Sequence, residues 1–299
     1  MHQTARSGKA AGEPLAAAAR RWPGAARRPA TAISFTSGKG GVGKSNIAAA
    51  MAVLLAQCGK RVLLVDGDLA LANIDVLFGL RPRLTLQHVV RDGRRIEDAL
   101  LEGPAGLSIL PAGSGLQELT HLAASQLDKL LSGLRALYAR MDYVLFDTPA
   151  GISLTVTALL EPSDRVVLVT VPEPTALTDA YALVKVLARR GRRNGIGVLV
   201  NQSDEREARS MFRGLSWVAE QFLDLQLEFL GHVPRDPLVA DAVRRQTPIA
   251  IAHPASPLVS ALRPIALKWV NNEGTAASGG IETFARDALA IISSDGDSS

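Results

Sequence analysis

The sequence is most informative first in what it has little of. It has one cysteine, Cys58, in 299 residues. A lone thiol cannot close an internal disulfide or build a zinc or iron–sulfur site, so a reduced, cytoplasmic setting is the expectation. Aromatic residues make up only 4% of the chain against 47% hydrophobic residues, so its core must be mostly aliphatic. No apolar run approaches the roughly 18 residues that span a bilayer, and Leu15–Ala19 is too short for a secretory signal. Basic charge is also scarcer than a pI near 9.4 suggests. Residues 1–30 hold Arg6, Lys9, Arg20, Arg21, Arg27 and Arg28 against Glu13, a net of +5. Of the 33 basic and 29 acidic residues, 27 and 28 remain beyond that stretch, a net of −1. The basicity belongs to the tail, which argues against a nucleic-acid surface on the body.

Residues 1–30 are rich in Ala, Arg, Gly and Pro and read as a disordered basic tail, with one short helix expected at Glu13–Trp22. From there apolar runs alternate with helical periods. Strands are expected at Ala32–Phe35, Arg61–Val65, Leu107–Leu110, Tyr143–Phe146, Arg165–Val171, Ile196–Val200 and Leu227–Val233. Helices are expected at Ile47–Ala56, Ser125–Arg140, Leu177–Arg189, Glu205–Leu223 and Pro257–Val270. Fully apolar strands are buried on both faces. Such alternation predicts an α/β fold, a mainly parallel sheet with helices on both faces. One domain over residues 31–272 is expected, then a small polar linker and an amphipathic segment, Ile281–Ile292, within 273–299.

Between the first strand and the first helix lies Ser37-Gly38-Lys39-Gly40-Gly41-Val42-Gly43-Lys44-Ser45-Asn46. Strand, glycine loop and helix form the context in which G-x-x-x-x-G-K-[ST] binds phosphate. Gly38, Gly40, Gly41 and Gly43 are expected to supply positive φ and close backbone approach. The loop amides, Val42 and Asn46 among them, and the following helix N-terminus then face an anion. Lys44 can reach terminal phosphates, and the Ser45 hydroxyl can sit on magnesium. Three carboxylates stand at strand ends, Asp66, Asp68 and Asp147. Phosphoryl transfer needs mainly electrostatic actors. Asp147 suits the group that holds magnesium through water, and Asp66 and Asp68 could position an attacking water. Asp66 is also grouped with Ser45 and Asp147 around the ion.

Lys39 lies inside the glycine loop, and Lys39-Gly40-Gly41-Val42-Gly43-Lys44-Ser45 resembles the deviant Walker A motif of the MinD/ParA class of ATPases. Asp66-Gly67-Asp68 and Asp147-Thr148-Pro149-Ala150-Gly151 resemble its two switch segments. The resemblance implies a P-loop fold, Mg2+-dependent ATP hydrolysis, and an ATP-dependent homodimer in which Lys39 reaches the partner's phosphates. It further implies that Asp68 orients the attacking water, Asp147 serves magnesium, and Asn201-Gln202 meets adenine. Asp68–Asp75, Leu110–Gly115 and Pro172–Tyr181 look most like the FlhG/FleN group, MinD-like regulators of flagellar number and placement. Partners implied by that group are the flagellar GTPase FlhF, flagellar switch proteins or a flagellar transcription regulator.

Both tails depart from the group's pattern. Glu13–Trp22 keeps only the Ala/Leu/Arg character of the DQAxxLR-type element that stimulates FlhF. Ile281, Phe284, Ala285, Ala288, Leu289 and Ile292 share a helical face, but Glu282 and Asp287 oppose only Arg286 on the polar side. Interfacial helices carry Lys or Arg there. Weak peripheral membrane contact and packing on the body both remain open. Competing readings are a ParA-like DNA-partition ATPase, which needs a basic body, and a MinD-type septum regulator, which needs a basic membrane helix. A metal-cluster carrier needs more cysteines than Cys58.

Overall fold

The computed structural model describes residues 30–272 apart from 69–72, 86–87, 90–91, 112–131, 154–155, 158–159 and 161–162. The helix expected at Glu13–Trp22, most of Ser125–Arg140 and the segment Ile281–Ile292 lie outside the described residues; within Ser125–Arg140, residues 132–138 are helical.

The sheet has eight strands among the described residues: β1 (Thr31–Ser37), β2 (Val62–Asp66), β3 (Leu101–Glu102), β4 (Ser108–Leu110), β5 (Tyr143–Ala150), β6 (Arg165–Thr170), β7 (Ile196–Asn201) and β8 (Glu228–Val233). Their order is β3-β4-β2-β5-β1-β6-β7-β8. Every pairing is parallel except that of β3 with β4 at one edge. This two-residue edge strand carries too little pattern to be read from sequence.

Strand alternation divides the apolar residues between two layers. Ile33, Phe35, Leu64, Leu145 and Val169 pack under α1 (Lys44–Gln57) and the later helices. Ala32, Leu63, Val144 and Phe146 face the opposite way, onto Leu134, Leu137 and Tyr138. Farther along that face, Val166, Leu168, Val198 and Val200 meet two long helices. Helices therefore cover both faces, as the fully apolar strands require. α1 is buried on nearly every side, Ile47 through Ala56 without interruption. A helix hydrophobic all round belongs inside, and this one places its N-terminus beneath the phosphate loop.

Further helices among the described residues are α2 (Ile74–Leu77), α3 (Pro174–Arg189), α4 (Glu205–Leu223), α5 (Leu238–Arg244), α6 (Ile249–Ala252) and α7 (Pro257–Asn271). A capping box explains where α4 starts. Asp204 accepts the Glu207 amide at 2.8 Å while Glu207 accepts the Asp204 amide at 3.1 Å. Because the crossovers are parallel, α3 and α4 run from the carboxyl ends of the strands back to the amino ends. Ligands in such sheets bind beyond the carboxyl ends, where the loop and the switch residues lie.

Candidate nucleotide site

The loop runs from β1 into α1, whose N-cap is Gly43 with φ 88°. The helix has no side-chain cap and no acidic residue in its first turn, so its orphan amides are available to an anion. Glycine is needed here for two different reasons. Gly41 and Gly43 adopt positive φ, at 79° and 88°. Gly38 does not, but a Cβ there would run into the backbone of Asp179 in α3. Gly40 has neither a positive φ nor a close neighbour. The expectation that all four supply positive φ is therefore corrected: steric contact accounts for Gly38, and nothing among the described residues demands Gly40.

Lys44 and Asp147 form a buried ion pair between the ammonium and Asp147 Oδ1. Ser45 also hydrogen-bonds the Asp147 carboxylate. Asp147 lies within β5, not after it, directly across from Asp66, the last residue of β2. Asp66 uses both its oxygens on backbone amides. Oδ1 accepts from Asp68 at 3.0 Å, and Oδ2 from Asn73 at 3.1 Å and Ile74 at 3.2 Å. It thus ties the first switch segment to the start of α2. Further bonds lock the switches together: the Gly67 amide donates to Asp147 O at 2.8 Å, Gly151 to Ser37 O at 2.9 Å, and the Thr148 hydroxyl to Phe35 O at 3.0 Å.

The electrostatics follow from this crowding. Burial, reinforced by the Asp147 charge, pushes Asp66 up to about 7, despite its three amide donors. Burial also raises Asp147, against the opposing pull of Lys44 and Ser45, and the Asp68 charge adds to the rise. Adjacent buried carboxylates disfavour each other's ionised form, an arrangement that a cation relieves. In nucleotide-free, chelator-treated protein, Asp66 keeps its proton to about pH 7, whereas the unfolded chain releases it near 3.8. The native state then binds more protons in that window. The Asp66 contribution to stability should fall as pH rises from about 4 to about 7, with a slope approaching 1.4 kcal/mol per pH unit. Urea unfolding across this range tests it. Asp66→Asn should flatten the slope, and an unchanged slope in that variant would refute the assignment.

Lys39 stands at the exposed rim, where its ammonium meets Glu173 Oε2 at 2.8 Å. Glu173 is the N-cap residue of α3. Glu173 chiefly, with help from Asp179, holds the Lys39 pKa above its ordinary value. Nothing local in the sequence marks Glu173 as the partner of Lys39, because the two residues are 134 positions apart. Asn201 ends β7 and is buried, and its Nδ2 donates to Val42 O at 2.7 Å. It props the loop from below. Its amide oxygen is an acceptor of the kind an adenine amino group would need. Gln202 follows with φ 56° and is exposed. Asn46 is half-buried in the first turn of α1.

The residues fit a magnesium–nucleotide complex. The uncapped helix and the glycine backbone offer donors, Lys44 a positive charge, and Ser45 and Asp147 oxygens beside it, with Asp66 across from Asp147 on the next strand. The Ser37 hydroxyl, at the mouth of the loop, is buried without a hydrogen-bond partner. Among the described residues no cluster of His, Cys, Asp and Glu forms a metal cage of its own. Magnesium commonly binds through one or two carboxylates plus substrate phosphates instead.

Comparison with known proteins agrees with this geometry. Residues 29–270 match the ParA family model, described as NUBPL iron-transfer P-loop NTPase. Antiactivator FleN of Pseudomonas aeruginosa is 40% identical over 241 residues, covering 80% of this chain and 86% of FleN. Flagellum site-determining protein YlxH of Helicobacter pylori is 35% identical over 217 residues, 72% of this chain and 73% of YlxH. Among solved structures, the septum site-determining protein MinD of Pyrococcus horikoshii, complexed with Mg-ADP, superposes with a TM-score of 0.67 at 27% identity. That match covers 83% of this chain and 99% of MinD. A glycine loop with an internal lysine, two switch carboxylates in register and these relatives converge: the chain belongs to the ParA/MinD family of P-loop NTPases.

Proposed function

We propose that this protein is a MinD-like ATPase that regulates flagellar number and placement, working as an ATP-dependent dimerisation switch. The observation that carries the switch is Lys39. It is poised on the open rim of the site, paired among the described residues with the exposed carboxylate of Glu173. An exposed ion pair is readily exchanged for a stronger partner, and the phosphates of a second subunit's ATP are such a partner. The flagellar reading is supported by the likeness to FleN and YlxH.

In the hydrolysis reaction each residue has a separate task. The loop amides and Lys44 bind and orient the phosphates, and Ser45, Asp66 and Asp147 hold magnesium directly or through water. Magnesium, when bound, supplies positive charge that offsets charge on the phosphates. Asp68 orients the attacking water, while the Asp66–amide bonds fix the segment that carries it. Asn201 supports the loop and presents its amide to adenine. Iron transfer, in the words of the family description, finds no donor set here, since Cys58 is the one cysteine of the chain.

Flagellar partners are part of the proposal: the GTPase FlhF, switch proteins or a transcription regulator, recruited in one nucleotide state. Weak peripheral membrane contact is also part of the proposal; among the described residues, no helix is long and apolar enough to cross a membrane.

Lys39→Ala is expected to bind ATP with near-normal affinity yet remain monomeric in sizing experiments, where the unaltered protein dimerises. ATP-dependent dimers of the variant would sink the switch. Deleting the gene should change flagellar counts per cell without producing minicells. Minicells with normal flagella would transfer the reading to septum placement.

A further inference from the structure

Trp217 and Phe222, near the C-terminal end of α4, stand together in solvent. They are 60% and 67% exposed, their rings edge to face with centroids 6.2 Å apart. α4 turns Ala208, Met211, Leu215 and Ala219 into the protein, and its spacing sets the exposed Arg206, Arg213 and Trp217 along the opposite flank. In a chain with only 4% aromatic residues, an exposed pair of rings marks a contact surface.

Arginines border the rings. Arg213 lies one turn before Trp217, and Arg193 donates to the Leu223 carbonyl at the helix end, at 3.2 Å. α3 and α4 run side by side in one direction, so the exposed Arg189 and Arg190 at the end of α3 stand at this end as well. Glu220 and Asp224 are the acids of the last turn of α4 and its C-cap. Four arginines, Arg189, Arg190, Arg193 and Arg213, against these two acids give the patch a net of +2, although residues beyond 30 together carry −1.

The chemistry selects an occupant. A tryptophan among arginines is the side-chain set of the lipid–water boundary, where rings enter the headgroup layer and guanidinium groups meet phosphate. As the outer flank of a helix the patch is convex, which suits a deformable lipid surface. Duplex nucleic acid would engage the arginines but leave both rings in water. We propose that this end of α4 contacts anionic lipid, with Trp217 and Phe222 seated in the headgroup layer and Arg189, Arg193 and Arg213 against the lipid phosphates. The inference rests on the peripheral membrane contact proposed above and gives it a surface on the folded body. It does not depend on the switch, since no residue of the nucleotide site takes part.

The full chain carrying Trp22→Phe tests it, with vesicles of equal parts phosphatidylglycerol and phosphatidylcholine. Trp269 is only 5% exposed, so quenching by brominated acyl chains then reports Trp217. Its emission should be quenched and blue-shifted by these vesicles and not by phosphatidylcholine alone. Arg189→Glu with Arg213→Glu should weaken co-sedimentation with the vesicles about 10-fold or more, and Trp217→Ser with Phe222→Ser should weaken it by a similar factor. Unchanged ATP affinity in both pairs shows that they are folded. Phe284→Asp with Leu289→Asp should leave Trp217 quenched at saturating vesicles. Sedimentation without quenching of Trp217, or binding indifferent to both α4 pairs, overturns this inference and leaves the peripheral contact to another part of the chain. Absence of vesicle binding overturns both. Displacement of the vesicles by duplex DNA, or a nucleotide-free dimer that the ring substitutions abolish, also overturns it, by giving the patch to nucleic acid or to a second copy.

Discussion

Replacing Lys44 with alanine is expected to weaken ATP binding by at least about 100-fold and, separately, to destabilise the nucleotide-free protein. The first effect arises because Lys44 is the buried cation at the base of the loop, where a charge-assisted contact is roughly twice as strong as a neutral one. The second arises because Asp147 would lose its ion-pair partner while staying buried across from Asp66. Breaking a buried pair on one side costs about 3–5 kcal/mol. The two effects separate in the double variant Lys44→Ala/Asp147→Asn. Neutralising Asp147 should return most of the lost stability in urea unfolding without restoring ATP affinity in calorimetric titration. If stability does not recover, the ion pair is not what Lys44 contributes to the resting protein.

Asp68→Ala should reduce turnover by about 10²–10³-fold, the range of a positioned acid–base or water-orienting group, while leaving nucleotide affinity within a few-fold. Affinity survives because Asp68 contributes its backbone amide, not its carboxylate, to the bond with Asp66. The anchor at Asn73 and Ile74 is likewise untouched. Dimers formed with ATP should therefore persist for hours instead of dispersing. Single-turnover hydrolysis measured alongside sizing decides this, and rapid dispersal without hydrolysis would remove Asp68 from its role. Asp66→Ala should behave differently, because three amides lose their acceptor together and the whole switch segment loosens.

Much of the architecture was legible because the signals are local. Leu63 to Val65 and Val166 to Val169 are apolar at every position, which only a strand covered on both faces tolerates. The loop was legible for the same reason: its glycines, Lys44 and Ser45 act within one turn of chain. What escaped depends on residues meeting across the fold. Glycine at position 38 was expected, but its cause, the backbone of Asp179, is visible only once α3 is placed. Asp66 was read as a ligand for water or metal, and its capture of three amides needed the return of the chain at Asn73. Lys39 was legible as unusual, whereas its resting partner Glu173 was not. The adenine role implied for Asn201 met a competing fact, a hydrogen bond to the loop carbonyl of Val42.

The contact of Gly38 with Asp179 has a mechanical side. No side chain stands between loop and helix there, and the gap would not admit even a Cβ. α3 has 16 residues and is therefore about 24 Å long, reaching from the phosphates to Arg189 at the far end of the sheet. It is a stiff rod with one end resting on the nucleotide loop. The backbone that must meet the phosphates thus lies against the first turns of a helix whose last residue is Arg189, at the other end of the sheet.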